Sequence, residues 1–261
     1  MKSAIVVLTR GYNNILKYNK LINRNKHIAI NFYLKLENPE NYDIIIFHEG
    51  NITLEQQKYI QSQTPKLPLI FKSITFYNTN IQNKYLCPPT YLSNKFSPGY
   101  KNMCFFWSIL FLDYLKDYLY IIRIDEDCLI KSIPTNIINT YIESNIYFAS
   151  PYFQGPDDPN VTVGITKFFL NFLQKNNIKG YNSNVTCPYT NVSIINIQYF
   201  RQNSIVQKVL QEIILCGCIF SNRWGDLPIW GYILNYLIHP HLYKQDKSIC
   251  YFHGSHNTLL N

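Results

Sequence analysis

Three acidic residues directly follow an apolar run near the middle of the chain. Residues 119–124 are mostly apolar, and Asp125, Glu126 and Asp127 come next. Carboxylate oxygens are the ligands that divalent cations such as Mg²⁺ and Mn²⁺ prefer in proteins. Such a cation would act as a Lewis acid on a diphosphate leaving group. Asp125 and Asp127 are therefore candidate metal ligands, and a solvated acidic turn is the structural alternative.

The position of this acidic segment favours a binding site over a plain turn. Residues 119–124 predict a central strand, which places the acids at its carboxyl end. Open α/β sheets bind ligands in the crevice outside the carboxyl ends of their strands. Because a strand is rigid, it would fix the carboxylates for a cation and for the diphosphate of a nucleotide-sugar donor.

The elements around this strand alternate between strands and helices. Short β-branched runs are followed by segments of helical spacing, which predicts one α/β domain with a mostly parallel sheet and helices on both faces. A long polar loop is expected at residues 78–99. Predicted strands are 4–8, 42–48, 69–76, 119–124, 147–150 and 192–197; predicted helices are 14–23, one starting after an N-cap at Thr53, 100–115, 161–176, 205–214 and 223–237.

The net charge of the chain limits the classes of partner. A formal charge of +8 predicts attraction to anions, and both a nucleotide diphosphate and a nucleic acid fit that description. The Lys and Arg residues are scattered, with no long basic run of the kind that nucleic-acid-binding arms show. We therefore expect no nucleic acid partner.

The apolar segments and the cysteines of the sequence do not match the patterns of membrane spans, signal peptides or paired zinc ligands. No stretch approaches the ~18 apolar residues that a membrane span needs. The apolar run at the N-terminus is too short for a signal peptide, so we expect a soluble, cytoplasmic protein. The seven cysteines include no C-x-x-C pair, which predicts reduced and mostly buried thiols rather than a zinc knuckle.

Four separated segments together resemble one known family. In order and approximate spacing they look like the fungal α-1,2-mannosyltransferases of glycosyltransferase family 15, and the chain is similar to a divergent, shorter, soluble member without their N-terminal membrane anchor. The segments are Tyr100-Lys101-Asn102-Met103-Cys104, Arg123-Ile124-Asp125-Glu126-Asp127, Arg223-Trp224-Gly225-Asp226-Leu227-Pro228 and Tyr251-Phe252-His253.

The resemblance implies a GT-A fold with a single Rossmann-like mixed sheet and a metal-dependent, retaining transfer, with GDP-mannose as the donor of the fungal enzymes. Asp125 falls where the family has its metal-binding acid, and Asp127 is the further acid of that motif. His253 falls on the family's C-terminal histidine ligand, which suits Mn²⁺, or Mg²⁺ as the alternative ion. His256 is the substitute ligand, and a polar tail residue is the structural alternative.

The resemblance also suggests roles for other residues. Tyr100 matches a tyrosine in the family's active site. Asp226 is a candidate to contact the acceptor hydroxyl or to act as a base, with an N-cap as the equal alternative. Thr9, Arg10 and Arg123 are donor-binding candidates, and a plain surface arginine is the alternative for Arg10.

Two departures from the family concern the chemistry. Phe105 stands where the fungal enzymes have an arginine, and Ser193 stands where they carry a glutamate proposed as the nucleophile. Since a serine without a base is a poor nucleophile, Ser193 predicts either same-face attack without a covalent intermediate or an inverting reaction.

The sequence thus predicts a metal-dependent glycosyltransferase that moves a sugar from a GDP- or UDP-sugar to a hydroxyl of a glycan or glycoconjugate. A non-catalytic protein that binds nucleotide sugars or glycans is the alternative, because Phe105 and Ser193 replace two polar family residues. We expect residues 1–130 to form the nucleotide-sugar half of the domain. Residues 131–261 would form the acceptor half and supply the C-terminal metal ligand.

Overall fold

The computed structural model describes residues 2–76, 91 and 93–260, so most of the predicted loop at residues 78–99 lies outside the described residues. The strands are β1 Ser3–Leu8, β2 Tyr42–His48, β3 Leu69–Ser73, β4 Tyr120–Ile124, β5 Cys128–Ser132, β6 Phe148–Ser150, β7 Phe153–Gln154, β8 Cys187–Pro188, β9 Val192–Asn196, β10 Tyr243–Gln245, β11 Cys250–His253 and β12 Thr258–Leu260. The α-helices are α1 Asn19–Asn31, α2 Leu54–Gln63, α3 Pro98–Phe105, α4 Phe111–Tyr114, α5 Ile137–Ser144, α6 Ile165–Lys175, α7 Ile197–Gln202, α8 Ser204–Cys216, α9 Cys218–Asn222 and α10 Asp226–Leu237.

The main sheet is mixed and mostly parallel. Within the described residues it has seven strands in the order β10-β6-β9-β4-β1-β2-β3. Strand β9 runs antiparallel to both of its neighbours, β4 and β6, and the other pairs are parallel. The chain leaves β1 toward β2 on one side and returns with β4 on the other side, so the strand order reverses between β1 and β4. A crevice at such a switch point is where open α/β sheets bind ligands.

Helices cover both faces of this sheet, as the sequence predicts. Strand side chains alternate between the two faces. Ala4 and Val6 of β1 therefore pack in the core that contains residues of α3, α8 and α10. Ile5 packs on the opposite face, with residues of α1 and α5. The α/β architecture with a mixed, mostly parallel sheet is confirmed.

Several predicted helices differ in their bounds from those observed. The helix predicted at 14–23 is a short 3-10 turn at Ile15–Tyr18 followed by α1, which begins at Asn19 and continues to Asn31. The predicted helix at 100–115 is interrupted by a π-helical turn at Phe106–Leu110 between α3 and α4. Such turns recur at functional sites, and this one carries Trp107. The helix predicted at 161–176 begins only at Ile165, because Gly164 before it adopts the left-handed conformation with φ +80°. The predicted N-cap at Thr53 is confirmed, and with Gln56 it forms a capping box.

A second, smaller sheet joins the C-terminal segment to the acidic segment. It has the strand order β12-β11-β5, and β5 starts immediately after Asp127. In the antiparallel β11–β5 pair, His253 lies opposite Cys128, and the Gly254 N–H donates to the Asp127 carbonyl at 2.9 Å. The ladder therefore brings the C-terminal histidine beside the acids.

Most thiols match the expectation of buried, reduced cysteines. Cys104, Cys128, Cys187 and Cys216 are free and buried. Cys218 departs from this expectation because it is disulfide-bonded. Sequence spacing does not reveal which thiols the fold brings into contact. In the part of the chain that the structure describes, no helix has the length and apolar character needed to cross a membrane.

Candidate active site and metal site

The acidic segment forms a tight turn between β4 and β5. The Asp125 N–H donates to the Asn191 carbonyl at 2.8 Å, and the Cys128 N–H donates to the Asp125 carbonyl at 3.0 Å. The turn follows the carboxyl end of β4, next to the carboxyl end of β1. Because the chain turns here, the side chains of Asp125, Glu126 and Asp127 hydrogen-bond to three different sets of partners.

Asp127 and His253 come together at this turn. Asp127 Oδ2 lies 3.5 Å from His253 Nε2 and also accepts a hydrogen bond from Ser255 Oγ. Burial alone would raise the pKa of Asp127, but the hydrogen bonds from His253 and Ser255 hold that pKa well below its ordinary value. His253 is 3% exposed, and its Nδ1 lies 3.2 Å from Tyr189 Oη. A tyrosine at the far nitrogen orients the ring and fixes which nitrogen faces Asp127.

The side chains of Asp127, Cys128 and His253 lie close enough together to surround a metal ion. Burial raises the pKa of the Cys128 thiol, and Mn²⁺ and Mg²⁺ prefer carboxylate and imidazole donors to a thiol, so Asp127 and His253 are the better candidates in this group. His256 stacks on His253 with ring centroids 4.5 Å apart. The structure thus places His253 against the acid, with His256 beside it.

Asp125 makes different contacts, centred on Arg123. Arg123 Nε and Nη2 donate to the two carboxylate oxygens of Asp125 at 2.9 and 3.0 Å, and Nη1 donates to Asp226 Oδ2. The guanidinium also lies 4.3 Å from the centroid of the Trp107 ring. Burial raises the pKa of Asp125, opposed by Arg123. Arg123, 3% exposed, therefore holds two carboxylates in fixed positions.

Asp226 lies at the start of α10 but does not cap it. The capping position is Gly225, and the Asp226 carboxylate bonds to Arg123 instead. Its side chain is 9% exposed. A carboxylate in the first turn of a helix also interacts favourably with the helix dipole. Asp226 is therefore not an N-cap. It forms a buried ion pair with Arg123, which is 103 residues away in sequence.

Tyr100 takes part in a second cluster at the entrance to α10. Its Oη accepts a hydrogen bond from Arg223 Nη2 at 2.9 Å, and Arg223 Nη1 donates to Asp157 Oδ2 at 2.6 Å. Arg223 has a left-handed backbone with φ +69°, a strained conformation for a non-glycine residue that is common at functional sites. Burial raises the pKa of Tyr100 to about 12. The phenol is therefore protonated at neutral pH.

Glu126 contacts the loop that follows β1. Its Oε2 accepts from Thr9 Oγ1 at 2.6 Å, and its Oε1 accepts from Tyr12 Oη at 3.1 Å. Thr9 is 4% exposed. Arg10 is exposed, and its guanidinium lies 5.1 Å from the Tyr12 ring centroid. Among the donor-binding candidates, Thr9 thus belongs to a buried network and Arg10 extends into solvent.

Ser193 lies opposite Arg123 in the antiparallel β4–β9 pair. It is 0% exposed, and its Oγ has no hydrogen-bond partner among the described residues. A hydroxyl without a hydrogen-bonded base lacks the usual activation of a nucleophile.

Sequence reasoning missed Arg24, which lies beneath the site. This residue of α1 is 0% exposed, and it donates from Nε to the Ile124 carbonyl at 3.0 Å and from Nη2 to the Val6 carbonyl at 3.1 Å. Burial lowers the pKa of Arg24 to about 9. Its spacing of three residues from the buried Leu21 was an available signal, since an arginine at an inward helical position needs partners.

The structure brings the predicted site residues together at one edge of the sheet in three adjoining groups. Asp127 pairs with His253, Arg123 joins Asp125 to Asp226, and Thr9 is joined to the turn through Glu126. Tyr100 is linked instead to Arg223, which directly follows α9 and precedes α10.

Solved structures share this fold at low sequence identity. Core-mannan synthase A from Aspergillus fumigatus, in its Mn/GDP form, matches with TM-score 0.75 and 17% identity over 96% of this chain and 74% of that one. The mannosyltransferase Ktr4p from S. cerevisiae matches with TM-score 0.79 and 17% identity over 97% and 70%. Mouse xyloside xylosyltransferase 1 matches with TM-score 0.51 and 12% identity over 94% and 84%.

These likenesses establish a GT-A fold. The resemblance to glycosyltransferase family 15 is confirmed as a likeness of fold, with a sequence that has diverged far from those enzymes. No protein-family model matches the sequence, and no curated protein matches it.

Proposed function

We propose that this chain, which has the GT-A fold of the mannosyltransferases above, is a metal-dependent glycosyltransferase. It transfers a sugar from a GDP- or UDP-sugar to a hydroxyl of a glycan or glycoconjugate. The observation that carries the proposal is the 3.5 Å approach of His253 to Asp127, 126 residues apart in sequence, beside the switch point between β1 and β4. A structure with the same fold is an Mn/GDP form, and another is a complex with GDP.

The residues at the turn fit a divalent cation. One carboxylate and one imidazole are a donor set that Mn²⁺ accepts readily, and Mg²⁺ accepts the carboxylate. Asp127 and His253 would hold the ion, and Asp125, fixed by Arg123, would complete the acidic side of the site. The bound cation would stabilise the charge that develops on the leaving diphosphate. We propose Thr9 and Arg10, from the β1 side, as donor contacts.

Asp226 and Tyr100 are the groups that we propose to contact the acceptor and the donor. Arg123 donates a hydrogen bond that orients the Asp226 carboxylate, so that Asp226 would contact the acceptor hydroxyl or take its proton. Tyr100 accepts from Arg223, which leaves its own O–H available to donate to a sugar or phosphate oxygen. Residues 1–130 thus supply the donor contacts, whereas Asp226 and His253 come from the half at residues 131–261.

Ser193 argues against a covalent intermediate on the enzyme, and we propose a retaining transfer that proceeds without one. Ser193 is fully buried and its Oγ has no described base partner. The acceptor would then attack on the face from which the diphosphate departs, within a short-lived ion pair.

A donor panel tests this function. The protein is incubated with GDP-mannose and common UDP-sugars, with Mn²⁺, with Mg²⁺ or with EDTA, and release of the nucleoside diphosphate is measured. Donor hydrolysis that requires the cation is expected for one of these donors and is expected to be lost in Asp127→Asn. An exposed acid provides the matched control, Asp117→Asn, which should keep wild-type turnover. Tight donor binding without turnover across a panel of glycan acceptors would favour the non-catalytic alternative, and absence of binding would refute both.

A further inference from the structure

Glu126 is the middle acid of the turn, yet it belongs to neither carboxylate group described above. It is outside the set of described residues that would surround a metal ion. Its two oxygens accept hydrogen bonds from Thr9 Oγ1 at 2.6 Å and from Tyr12 Oη at 3.1 Å. The carboxylate therefore ties the acidic turn to the loop that follows β1.

The other contacts of Tyr12 fix it from several sides. Its N–H donates to Tyr18 Oη at 3.0 Å, and its carbonyl accepts from Gln56 Nε2 at 2.8 Å. Tyr18 Oη donates in turn to Gln56 Oε1 at 3.1 Å, and the two tyrosine rings meet edge to face with centroids 5.2 Å apart. These contacts hold the backbone of Tyr12, while the bond to Glu126 holds the far end of its ring.

This bond joins the two loops at the switch point of the sheet. Thr9 and Tyr12 come from the β1 side, and Glu126 comes from the β4 side. Arg24 joins the same two strands deeper in the fold through the carbonyls of Val6 and Ile124. Glu126 joins them further out, in the loops where a ligand of an open α/β sheet binds.

We propose that Glu126 is a positioning residue that fixes Tyr12 and Thr9 as one wall of the nucleoside-binding half of the donor site. It sets the affinity for the nucleoside diphosphate and leaves the transfer step unaffected. A wall already held in its bound geometry loses less conformational freedom on binding, which increases affinity. This inference rests on the proposed function for its ligand class.

The test measures nucleotide binding apart from catalysis. Binding of GDP and of UDP is measured by calorimetry in EDTA for the wild type, Glu126→Gln, Tyr12→Phe and the double variant. Glutamine keeps the shape of Glu126 but offers one acceptor oxygen instead of two. The preferred nucleotide should bind about five- to tenfold more weakly to each single variant, the size expected for one hydrogen bond. The double variant should be weaker than either single one by less than about twofold, because both changes break the same contact.

Three further readouts separate positioning from other roles. The Kd for Mn²⁺ and the kcat of transfer should stay within about twofold of the wild type while the donor KM rises. The matched control Glu143→Gln, an exposed acid on α5, should leave every value unchanged. Thermal melting of each variant confirms that the protein is folded.

Two results would overturn the proposal. If Glu126→Gln weakens Mn²⁺ binding and leaves metal-free nucleotide binding intact, Glu126 is a ligand rather than a positioning residue. If the two single effects multiply in the double variant, Glu126 and Tyr12 act independently. If the wild type binds GDP or UDP but shows no turnover, the proposed transferase activity is wrong. The role of Glu126 is still decided in that case, because it is tested by the Kd values of the variants.

Discussion

Asp125 and Asp127 are two residues apart in one turn, and their side chains contact two different sets of residues. Asp127 faces His253, Ser255 and the C-terminal strand β11. Asp125 is bound by both donors of one edge of Arg123, which links it to Asp226 at the start of α10. The D-x-D pattern therefore has one side, at Asp127, with an imidazole beside the acid, and another side, at Asp125, where an arginine balances the charge of the acid.

The largest effect should come from removing either member of the Asp127 side. Asp127→Asn and His253→Ala should each lower cation-dependent turnover on the order of a hundredfold or more, since even second-shell changes at metal sites cost 10–100-fold. Mn²⁺ titration followed by electron paramagnetic resonance measures the lost binding directly. His256→Ala should change Mn²⁺ affinity by less than about threefold. If His256→Ala abolishes binding and His253→Ala does not, the two histidines have the reverse roles.

On the other side, Arg123→Met should chiefly destabilise the fold. It leaves Asp125 and Asp226 without their shared cation, and breaking a buried pair costs about 3–5 kcal/mol. Urea denaturation measures the free energy of unfolding. Arg201→Met, which removes an ion pair with the exposed Asp113, is the matched control and should cost less than about 1 kcal/mol. Equal losses in the two variants would show that the Arg123 cluster is not a buried, tightly coupled pair.

Asp246 is a reference carboxylate away from the candidate site. Burial alone would raise its pKa, but hydrogen bonds from Ser248, Tyr141 and Lys244 lower the pKa of Asp246 to about 2. A lowered folded-state pKa contributes stability above the unfolded value near 4, and that stability is lost as the pH falls toward 2. The free energies of unfolding of the wild type and Asp246→Asn, obtained from thermal melts, should therefore differ by on the order of 1–2 kcal/mol at pH 6 and converge near pH 2. A difference that grows on acidification contradicts this sign.

The smallest effect should come from Ser193, beside Arg123 in the sheet. Ser193→Ala removes a buried hydroxyl without a described partner, a change that is nearly neutral for stability. Turnover of Ser193→Ala should stay within about twofold of the wild type. Proton NMR should show the same anomeric configuration in the products of the two proteins. A loss of turnover beyond a hundredfold, or a sugar trapped on Ser193, would establish it as the nucleophile.

Much of this arrangement could be predicted from the sequence. The apolar run at residues 119–124 gave the strand that ends at the acids, and the spacing of residues 226–237 gave most of the helix that carries Asp226. The approach of His253 followed from resemblance alone, because no local pattern links it to Asp127. The antiparallel β5–β11 pair is what makes that approach possible.

Side-chain pairings over long sequence distances were not predictable. Arg123 was expected to contact the donor, and its partners include Asp226, 103 residues away. Tyr100 was expected in the active site, but its hydrogen bond from Arg223 was not expected. Arg223 has a left-handed backbone conformation, which the amino-acid sequence does not indicate. Periodicity indicates which face of an element is buried, whereas the partner of a polar group depends on how distant elements pack.

The position of the cation can be measured directly. Crystals grown with Mn²⁺ and GDP, measured at the manganese absorption edge, would locate the ion by its anomalous scattering. We expect one strong peak within about 2.3 Å of a carboxylate oxygen of Asp127 and of Nε2 of His253. A manganese peak elsewhere, in a protein whose turnover depends on Mn²⁺, would contradict the assignment of Asp127 and His253 as ligands.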